Sequence, residues 1–366
     1  MSKRLVFCVT NDLVYDQRMN RICSSLANAG YKVTLVGRTH ANSPALQEKP
    51  FEQKRFRCLL TKGKLFYVEY NIKLFFVLLF IKADVLGAID LDSILPVLWA
   101  SKLRGKQRVY DAHELFCEMQ EISTRPLIYK IWKGIERYAV PQFPLGYTIG
   151  KYYAIEFSKM YNVQYEIVRN ATVHNSVEQI APTEPTYILY QGAVNEGRCF
   201  EQLIPAMQHV SLPLVICGAG NFFEETKALV ASYNLQDKVT MYGYVPPQEL
   251  KQFTEQAYIG ITLFSDGAKS KSNYLSMANR FFDYMHSGVP QICVGFPEYK
   301  DVNEEFEIAV LLNEVDENTI STAINALAND KEKHAQLAHN TLACRKKYCW
   351  QEEEKKLIAF YKKHIG

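Results

Sequence analysis

The sequence lacks any apolar run of the roughly 18 residues that a helix needs to span a bilayer. Its nine cysteines show no CxxC pairing, so their spacing indicates neither a disulfide framework nor a zinc site. The first residues, MSKRLVFCVTND, are charged and then strand-like, without the apolar core or cleavage site of a signal peptide. These absences argue against a helical integral membrane protein and a disulfide-stapled secreted protein, and we expect a cytoplasmic protein.

What the sequence has is the composition of a folded globular protein, with 48% apolar and 22% charged residues among 366. That length favours two domains of about 150–200 residues each. The net charge of +3 is uneven: residues 1–180 hold 25 Lys and Arg against 16 Asp and Glu, whereas the remainder holds 17 against 23. A basic first half suits a nucleic acid, an anionic membrane surface or a phosphorylated substrate as a partner.

The order of apolar segments predicts parallel α/β domains. Arg4–Thr10 is an apolar strand, a helical pattern follows as far as Ala29, Gly30 ends it, and Tyr31–Val36 is a second strand. Further predicted elements of the same alternation are Asp84–Ile89, Ser93–Lys102, Gln107–Tyr110, Leu145–Ile149 and Tyr165–Arg169. This alternation predicts a doubly wound parallel sheet with ligands at the carboxyl ends of its strands.

A polar segment with two prolines, Ser176–Thr186, predicts a linker. A second α/β series follows it, with predicted strands at Tyr187–Gln191, Leu214–Cys217, Val239–Tyr242, Ile259–Leu263 and Gln291–Val294. We therefore expect an N-terminal domain over residues 1–175 and a C-terminal domain over residues 186–350. The last helix, over residues 351–366, has apolar side chains on one side and is expected to pack back on the N-terminal domain.

Four segments of the second half occur in the order of a known family's landmarks: LYQGAVNEGRCFEQLIPA, LVICGAGN, VTMYGYVPPQEL and NRFFDYMHSGVPQICV. The first half adds DQRMNRICSSLANAGYKVTLVGR and VYDAHELFCE. With these segments, which cover about residues 5–300, the chain resembles the retaining GT-B glycosyltransferases of the GT4-like group, the glycosyl transferases group 1. The resemblance implies two Rossmann-like domains facing a central cleft, the second holding a nucleotide-sugar donor and the first an acceptor.

The resemblance also implies which residues hold the donor: Gly192, Arg198, Gly218, Tyr244, Val245, Arg280 and Asp283. Without a Cβ, Gly192 lets the backbone approach a diphosphate, and the guanidinium of Arg198 suits a two-pronged contact with phosphate oxygens. Asp283 stands where the family has a Glu that accepts hydrogen bonds from both ribose hydroxyls. The family works without a cofactor or a bound catalytic metal, so none is expected here; the nucleotide-sugar is a co-substrate.

The sequence departs from the family's pattern close to Asp283. The family's first Glu, eight residues earlier, is Leu275 here, and the family's Lys is Arg280. The loop that precedes this region is long and basic. We therefore predict that Lys269 and Lys271 contact the sugar or a phosphate in a different way.

In the first half the predicted site is the DAHE segment that directly follows a strand. By resemblance His113 touches the transferred sugar and Glu114 is the second catalytic residue; a bridge to a helix start and a first-turn carboxylate are the respective alternatives. Asp16 and Arg18 are predicted to contact the acceptor or a phosphate. The nearby DLD pattern suggests a metal site, but an N-cap role for Asp92 is the favoured interpretation.

The predicted reaction moves a sugar from a UDP- or GDP-sugar to a saccharide or lipid-linked saccharide with retention at the anomeric carbon, in cell-surface polysaccharide biosynthesis. Two alternatives are a nucleotide-sugar 2-epimerase of the same architecture and a non-catalytic nucleotide- or sugar-binding protein. No nucleic-acid partner is expected, because no RNA- or DNA-binding motif accompanies the positive charge. Lys62–Ile81, basic and then strongly apolar, predicts either a buried helix or a patch that docks at the inner face of an anionic membrane.

Overall fold

The computed structural model describes residues 2–61, 63–174, 182–265 and 270–366. The chain divides into two compact units, one of Met1–Asn170 with Glu353–Gly366 and the other of Ala171–Glu352. Each unit contains one parallel sheet with helices between its strands. Most of the linker predicted over Ser176–Thr186 lies outside the described residues.

The described residues of the first unit form seven strands, which are β1 (Arg4–Asp12), β2 (Lys32–Thr39), β3 (Glu52–Arg57), β4 (Val85–Ile89), β5 (Gln107–Ala112), β6 (Gly146–Thr148) and β7 (Glu166–Ile167). They form one sheet in the order β3-β2-β1-β4-β5-β6-β7. The helices of this unit are α1 (Gln17–Asn28), α2 (Lys64–Phe80), α3 (Ile94–Leu103), α4 (Gln120–Ser123), α5 (Pro126–Ala139) and α6 (Lys151–Tyr161).

Strand β1 lies inside this sheet because its side chains are apolar on both faces. Leu5, Phe7 and Val9 are as fully buried as the residues between them, which is expected of a parallel strand that helices cover on both sides. Leu5 pairs in register with Val33 of β2 and with Val85 of β4. Such a strand appears in the sequence as one continuous apolar run.

In the second unit, the part of the chain that the structure describes contains six strands, which are β8 (Ile188–Gln191), β9 (Leu214–Cys217), β10 (Val239–Gly243), β11 (Ile259–Thr262), β12 (Gln291–Val294) and β13 (Ala309–Leu312). Their order in the sheet is β10-β9-β8-β11-β12-β13. The helices are α7 (Phe200–Ala206), α8 (Phe223–Ser232), α9 (Pro247–Gln256), α10 (Lys271–Leu275), α11 (Asn279–His286), α12 (Pro297–Phe306), α13 (Glu317–Asn329) and α14 (Lys331–Lys347).

The last helix, α15 (Trp350–His364), belongs to the first unit from Glu353 onward. Its Tyr361 packs edge-on against Phe7 of β1 and Tyr147 of β6, with ring centroids 6.2 and 6.3 Å apart. A carboxylate oxygen of Glu353 accepts a hydrogen bond from the backbone N–H of Arg169 at 2.9 Å. The end of the chain therefore completes the core of the unit in which the chain begins.

In both sheets the strand order reverses beside the first strand of the unit. Strand β1 lies between β2 and β4, and β8 lies between β9 and β11. In a doubly wound sheet the connections lead away from this point in opposite directions and leave an opening at the carboxyl ends of the two strands. The predicted fold class, α/β with two Rossmann-like units, is confirmed. Ligands are therefore expected at the carboxyl ends of β1, β4, β8 and β11.

The structure corrects one local prediction, the N-cap role of Asp92, and adds two features that the sequence analysis did not establish. The sequence EQKRFR carries no apolar signal for β3, which is an edge strand held by its ladder with β2. Asp92 does not cap α3, because the N-cap is Ser93 and Asp92 instead accepts a hydrogen bond from the Thr10 hydroxyl at 2.6 Å. Helix α2 is not simply buried, since one stripe of it faces the core and another is exposed.

Lys62, at the start of the predicted Lys62–Ile81 segment, lies outside the described residues. In the part of the chain that the structure does describe, no helix is both long enough and apolar enough to cross a bilayer.

Candidate functional site

In the first unit, charged side chains gather where β4 and β5 end. Asp90 directly follows β4, Asp111 lies at the end of β5, and His113 follows it. The imidazole Nε2 of His113 is 2.9 Å from Asp111 Oδ2, and its Nδ1 is 3.6 Å from Asp90 Oδ2. Both ring nitrogens of His113 thus face a carboxylate, which is an arrangement that favours the imidazolium form.

Asp90 also positions the backbone of the predicted catalytic segment. One of its carboxylate oxygens accepts hydrogen bonds from the backbone N–H groups of His113, at 2.7 Å, and of Glu114, at 3.2 Å. Asp90 itself has φ 53° and ψ 176°, a conformation that side-chain-bearing residues rarely adopt and that costs roughly 1–3 kcal/mol. Backbone strain of this kind occurs mainly at functional sites. Asp90, which also fixes two backbone amides, therefore marks this region as a candidate site.

The structure places Arg18, which is predicted to contact the acceptor or a phosphate, in the interior of the first unit. Its side chain is only 4% exposed, and it donates hydrogen bonds to Asp111 Oδ1 at 2.8 Å and to the carbonyl of Val168 at 2.9 Å. Asp16, the other residue predicted for this contact, caps α1 by accepting from the backbone N–H of Met19 at 2.9 Å. Arg18 therefore holds Asp111, and through it His113, from within the core.

The pKa values of this cluster follow from burial and from its mixed charges. Burial acts to lower the pKa of His113, but the charges of Asp111 and Asp90 outweigh it and raise the value to about 9. Burial raises the pKa of Asp90 to about 7, with His113 opposing it, and that of Asp92 to about 6. Burial also acts to raise the pKa of Asp111, yet Arg18 and His113 hold it below its ordinary value.

These directions predict a pH dependence of stability. The folded-state pKa of His113 lies above its ordinary 6.5, so its contribution is fully present below pH 6.5 and is lost as the pH rises through about 9. Urea unfolding measures how far the unfolding free energy declines between pH 6.5 and pH 9.5. This decline is expected to be larger in the wild type than in His113→Gln, by on the order of 2 kcal/mol. The exposed histidine variant His40→Gln is the control, and an equal decline in all three proteins contradicts the assignment.

Glu114 is half-buried in the same region, and the hydroxyl of Tyr153 donates to one of its carboxylate oxygens at 3.4 Å. Within the described residues, no group of three or more His, Cys, Asp or Glu side chains is arranged to hold a metal ion. The first unit thus offers a charged cluster built from His113, Asp90 and Asp111, with Glu114 beside it.

In the second unit, two glycine turns meet at the ends of β8 and β9. Gly192 has φ +117°, a conformation that favours glycine, and its carbonyl lies so close to Gly218 that a Cβ added there meets it at 1.7 Å. Both turns, which resemble the family's donor landmarks, are therefore shaped around the absence of side chains.

A substitution at Gly218 tests this close approach. Gly218→Ala is expected to force the two turns apart and to lower the unfolding free energy by about 1–3 kcal/mol, as overpacking does. The control is Gly134→Ala on α5, where a Cβ meets no atom within 4 Å and where alanine is expected to add about 0.5–1 kcal/mol. Urea unfolding of both variants measures the difference, and a neutral Gly218→Ala contradicts the packing described here.

Two arginines share one aromatic ring beside these turns. The guanidinium carbons of Arg198 and Arg280 lie 4.3 and 4.9 Å from the ring centre of Phe264, which follows β11. Such cation–π contacts hold arginines in place without neutralising them. The turn that carries Arg198 and the first turn of α11 therefore bring two cations to the same corner of the unit.

Arg280 is the more unusual of the two because it is buried, with 6% of its surface exposed. It donates to the hydroxyl of Tyr190 and to the carbonyl of Leu263, each at 3.3 Å, and its Nε has no hydrogen-bond partner among the described residues. A Cβ added to Gly192 is 3.4 Å from its Nη1. The groups that act most on its pKa are tyrosines and a cysteine, with no carboxylate among them.

Asp283, predicted to hold the ribose, is half-buried on α11 and engaged within its own unit. One carboxylate oxygen accepts from the Thr172 hydroxyl at 2.7 Å and the other from the side-chain amide of Gln191 at 3.1 Å. Gln191 in turn accepts from the hydroxyl of Thr254 at 2.7 Å. This network ties α11 to the end of β8, so Asp283 supports the same corner that Gly192 and Arg280 form.

The other predicted donor contacts lie further along the chain. Tyr244, which is exposed, and Val245 follow the end of the edge strand β10. Lys271 is exposed at the start of α10, and Lys269 lies outside the described residues. Leu275, where the family has its first Glu, is buried at the end of α10, so no carboxylate stands there.

Sequence reasoning missed two residues that organise these sites. Phe264, the ring that both arginines contact, belongs to no motif and could be found only from the folded unit. Asp90 was noticed as part of a DLD pattern, yet its position directly after a buried strand was the better signal, because such positions face the opening of a parallel sheet.

Comparison with known proteins agrees with the fold and with the second unit's turns. Residues 174–343 match the family model of glycosyl transferases group 1. Among solved structures, sucrose-phosphate synthase from Thermosynechococcus elongatus has a TM-score of 0.82 at 15% identity, covering 99% of each chain. Anabaena Alr3699/HepE in complex with UDP and glucose has a TM-score of 0.76 at 11% identity, covering 98% of this chain and 99% of its own.

WaaG, a glycosyltransferase involved in lipopolysaccharide biosynthesis, has a TM-score of 0.72 at 13% identity, covering 99% of this chain and all of its own. At these identities the likeness is one of fold. A comparison with curated protein sequences gave no match. The chain has the GT-B fold, and the match of its residues 174–343 to the glycosyl transferases group 1 model identifies it as a glycosyltransferase.

Proposed function

We propose that this glycosyltransferase takes its sugar from a UDP- or GDP-sugar whose diphosphate binds at Arg280 and Arg198. The observation that carries the proposal is the buried guanidinium of Arg280, which has no acidic partner among the described residues. Burying an unpaired cation costs several kcal/mol, and a bound diphosphate supplies the negative charge that offsets this cost. That the similar Anabaena protein was solved with UDP and with UDP-glucose supports the same ligand class.

The remaining donor contacts are proposed around this cation. A Cβ at Gly192 would lie 3.4 Å from Nη1 of Arg280, whereas one at Gly218 would meet the Gly192 carbonyl. The diphosphate is therefore proposed to approach the backbone at Gly192, in the turn against which Gly218 packs. Tyr244 and Val245 are proposed to contact the base, and Asp283 the ribose hydroxyls. Because both oxygens of Asp283 already accept hydrogen bonds, its role requires their remaining lone pairs.

Lys271 and Lys269 are proposed to contact the sugar or a phosphate. No carboxylate stands at position 275, where leucine is buried. We therefore propose that contacts from the basic loop replace those that the family's first Glu makes. Cations suit this role, because the diphosphate carries the developing negative charge as the sugar leaves.

We propose that transfer proceeds with retention at the anomeric carbon. The bond between that carbon and the diphosphate oxygen breaks, a bond to the acceptor hydroxyl oxygen forms on the same face, and the hydroxyl proton passes to the departing diphosphate. Arg280 and Arg198 stabilise the charge that develops on the diphosphate. His113 and Glu114 are proposed to contact the transferred sugar, with His113 held as a cation by Asp111 and Asp90.

We propose a saccharide or a lipid-linked saccharide as the acceptor, in the assembly of a cell-surface polysaccharide. An anionic membrane is the proposed partner surface, because the basic excess of the sequence lies in its first half. Anionic lipids give the cytoplasmic leaflet a negative surface potential, so the cytoplasmic face of that membrane is the proposed place of reaction.

The test is to incubate the protein with UDP- and GDP-sugars and to follow the products by proton NMR. We expect slow release of one nucleoside diphosphate and a free sugar that first appears in the donor's anomeric configuration, with water acting as the acceptor. Inversion at the anomeric carbon overturns the retaining mechanism. A change of configuration at C2 identifies the 2-epimerase instead, and tight binding without any turnover identifies a non-catalytic binder.

A further inference from the structure

Three adjacent helices of the first unit expose an unusual amount of apolar surface. Helices α2, α3 and α5 account for 41 residues, yet they carry ten of the eighteen large hydrophobic side chains that are exposed among the described residues. These ten, which we call the three-helix surface, are Leu65, Val68, Ile72, Phe76, Phe80, Trp99, Leu103, Leu127, Ile131 and Tyr138. Exposed apolar residues that cluster in this way mark an interaction site.

The stripe on α2 is regular. Its exposed members recur at spacings of three and four residues, ending at Phe76 and Phe80, which are 55% and 83% exposed. Phe66, Tyr70, Leu74 and Leu78 form the opposite, buried stripe. The buried stripe packs the helix on the core, and the exposed stripe remains on the surface of the unit.

The three helices form one continuous surface. Connections that run from β3 to β4, from β4 to β5 and from β5 to β6 all lead the same way across the sheet, and right-handed crossovers place their helices on the same face. Tyr67 of α2 contacts Trp132 of α5 with ring centroids 5.3 Å apart, and α3 packs against both α2 and α5. The ten side chains therefore act as one patch.

The exposed charges on the three-helix surface are of one sign. The charged residues that the three helices expose are Lys64, Lys102, Lys130 and Arg137, and all are cations. The two acidic residues on these helices are withdrawn from the surface: Glu69 accepts from the backbone N–H groups of Leu59 and Leu60, and Glu136 is buried beside Lys133. Apolar side chains among cations, without exposed acids, suit the interface of an anionic bilayer.

The patch also adjoins the charged cluster of the same unit. Asn71 of α2 donates a hydrogen bond from its side chain to the carbonyl of Asp92 at 3.0 Å. Asp92 in turn accepts from Thr10 at the end of β1. A molecule held in a membrane under α2 is thus brought close to the carboxyl ends of β1 and β4.

We propose that the three-helix surface docks on an anionic lipid bilayer, with Phe76 and Phe80 entering the apolar boundary and the lysines and Arg137 meeting lipid phosphates. That the docked chain then receives a lipid-linked acceptor rests on the function proposed above. Two signals, apolar burial and charge attraction, act together here, and such a combination is what stable peripheral binding requires.

The test is flotation of the full chain with vesicles of phosphatidylcholine containing 30% phosphatidylglycerol, and with phosphatidylcholine alone. We expect binding to the anionic vesicles, at least tenfold weaker binding to the neutral ones, and a tenfold or greater loss for Phe76→Ser with Phe80→Ser. Ile155→Ser, an exposed apolar residue on α6, is the matched control. Lys130→Glu with Arg137→Glu is also expected to lose tenfold or more, while Lys227→Glu with Lys251→Glu in the second unit retains binding.

Absence of wild-type binding, or binding that the phenylalanine variant retains, overturns the docking surface. A wild-type dimer in solution that the same variant dissociates overturns it too, since a second copy of the chain then covers the patch. Nucleotide affinity of the phenylalanine variant is measured in parallel and is expected to equal that of the wild type. A chain that floats with vesicles but binds no nucleoside diphosphate refutes the proposed donor site while leaving the docking surface standing.

Discussion

Replacing Arg280 with methionine is expected to weaken binding of the preferred nucleoside diphosphate by about 100-fold. A two-pronged, charge-assisted contact contributes roughly 3 kcal/mol, and each 1.4 kcal/mol is about a factor of ten in affinity. In the absence of nucleotide the unfolding free energy is expected to change by less than about 1 kcal/mol. The reason is that removing a buried cation with no carboxylate partner in the described part of the chain offsets the loss of its contacts with Tyr190 and Phe264.

The control for this variant is Arg345→Met. Arg345 is equally buried in the second unit and donates to the carbonyl of His286 at 3.1 Å. The Arg345→Met substitution is expected to lower the unfolding free energy and to leave nucleotide affinity unchanged. Arg280→Met is expected to do the reverse. Isothermal titration and urea unfolding of both variants separate the two effects. A stable Arg280→Met protein with wild-type affinity removes Arg280 from the proposed donor site.

Asp111→Asn is expected to be the most destabilising conservative substitution in the first unit, at about 3–5 kcal/mol. Asp111 and Arg18 are 1% and 4% exposed and lie 2.8 Å apart, so the amide leaves a buried guanidinium without its counter-charge. The change preserves volume, and the loss is therefore electrostatic rather than a cavity effect. The pKa of His113 is also expected to fall, because Asp111 is one of the two carboxylates that raise it.

Asp84→Asn is the matched control, since Asp84 pairs with Arg4 at 3.5 Å on the exposed surface of the same unit. Such a surface pair contributes about 0–1 kcal/mol. Chemical unfolding measures both stabilities, and NMR titration of the imidazole measures the His113 pKa. If Asp111→Asn costs no more than Asp84→Asn, the buried pair does not organise the site as described.

The alternation of strands and helices was predictable because parallel strands buried on both faces appear as continuous apolar runs. The positions of the glycine turns and of Arg280, at the ends of strands and at a helix start, were predictable from motif resemblance. They depend on the local backbone and on short segments of sequence. What the sequence did not reveal depends on contacts between distant segments. Phe264 acquires its role only when β8, β11 and α11 meet, and nothing near it in the sequence marks it.

The position of Arg18 also depends on a contact between segments that are distant in the sequence. An arginine after a polar loop at the end of β1 suggests a ligand contact, and only the folded unit brings Asp111, 93 residues away, to within 2.8 Å of it. Asp16 had a sufficient local explanation, because an aspartate three residues before a backbone N–H of a helix start is an N-cap. The contact of Asp16 with the acceptor or a phosphate stays a prediction.

The central claim is that a nucleoside diphosphate binds at Arg280, which is buried without a carboxylate partner among the described residues. Isothermal titration of the purified protein with UDP, GDP and ADP tests it most directly. We expect one uracil or guanine nucleotide to bind in the micromolar range, with its affinity lost in Arg280→Met and retained in Arg345→Met. If none of the three nucleotides binds, or if the affinity is the same in Arg280→Met as in the wild type, the donor site does not lie at Arg280.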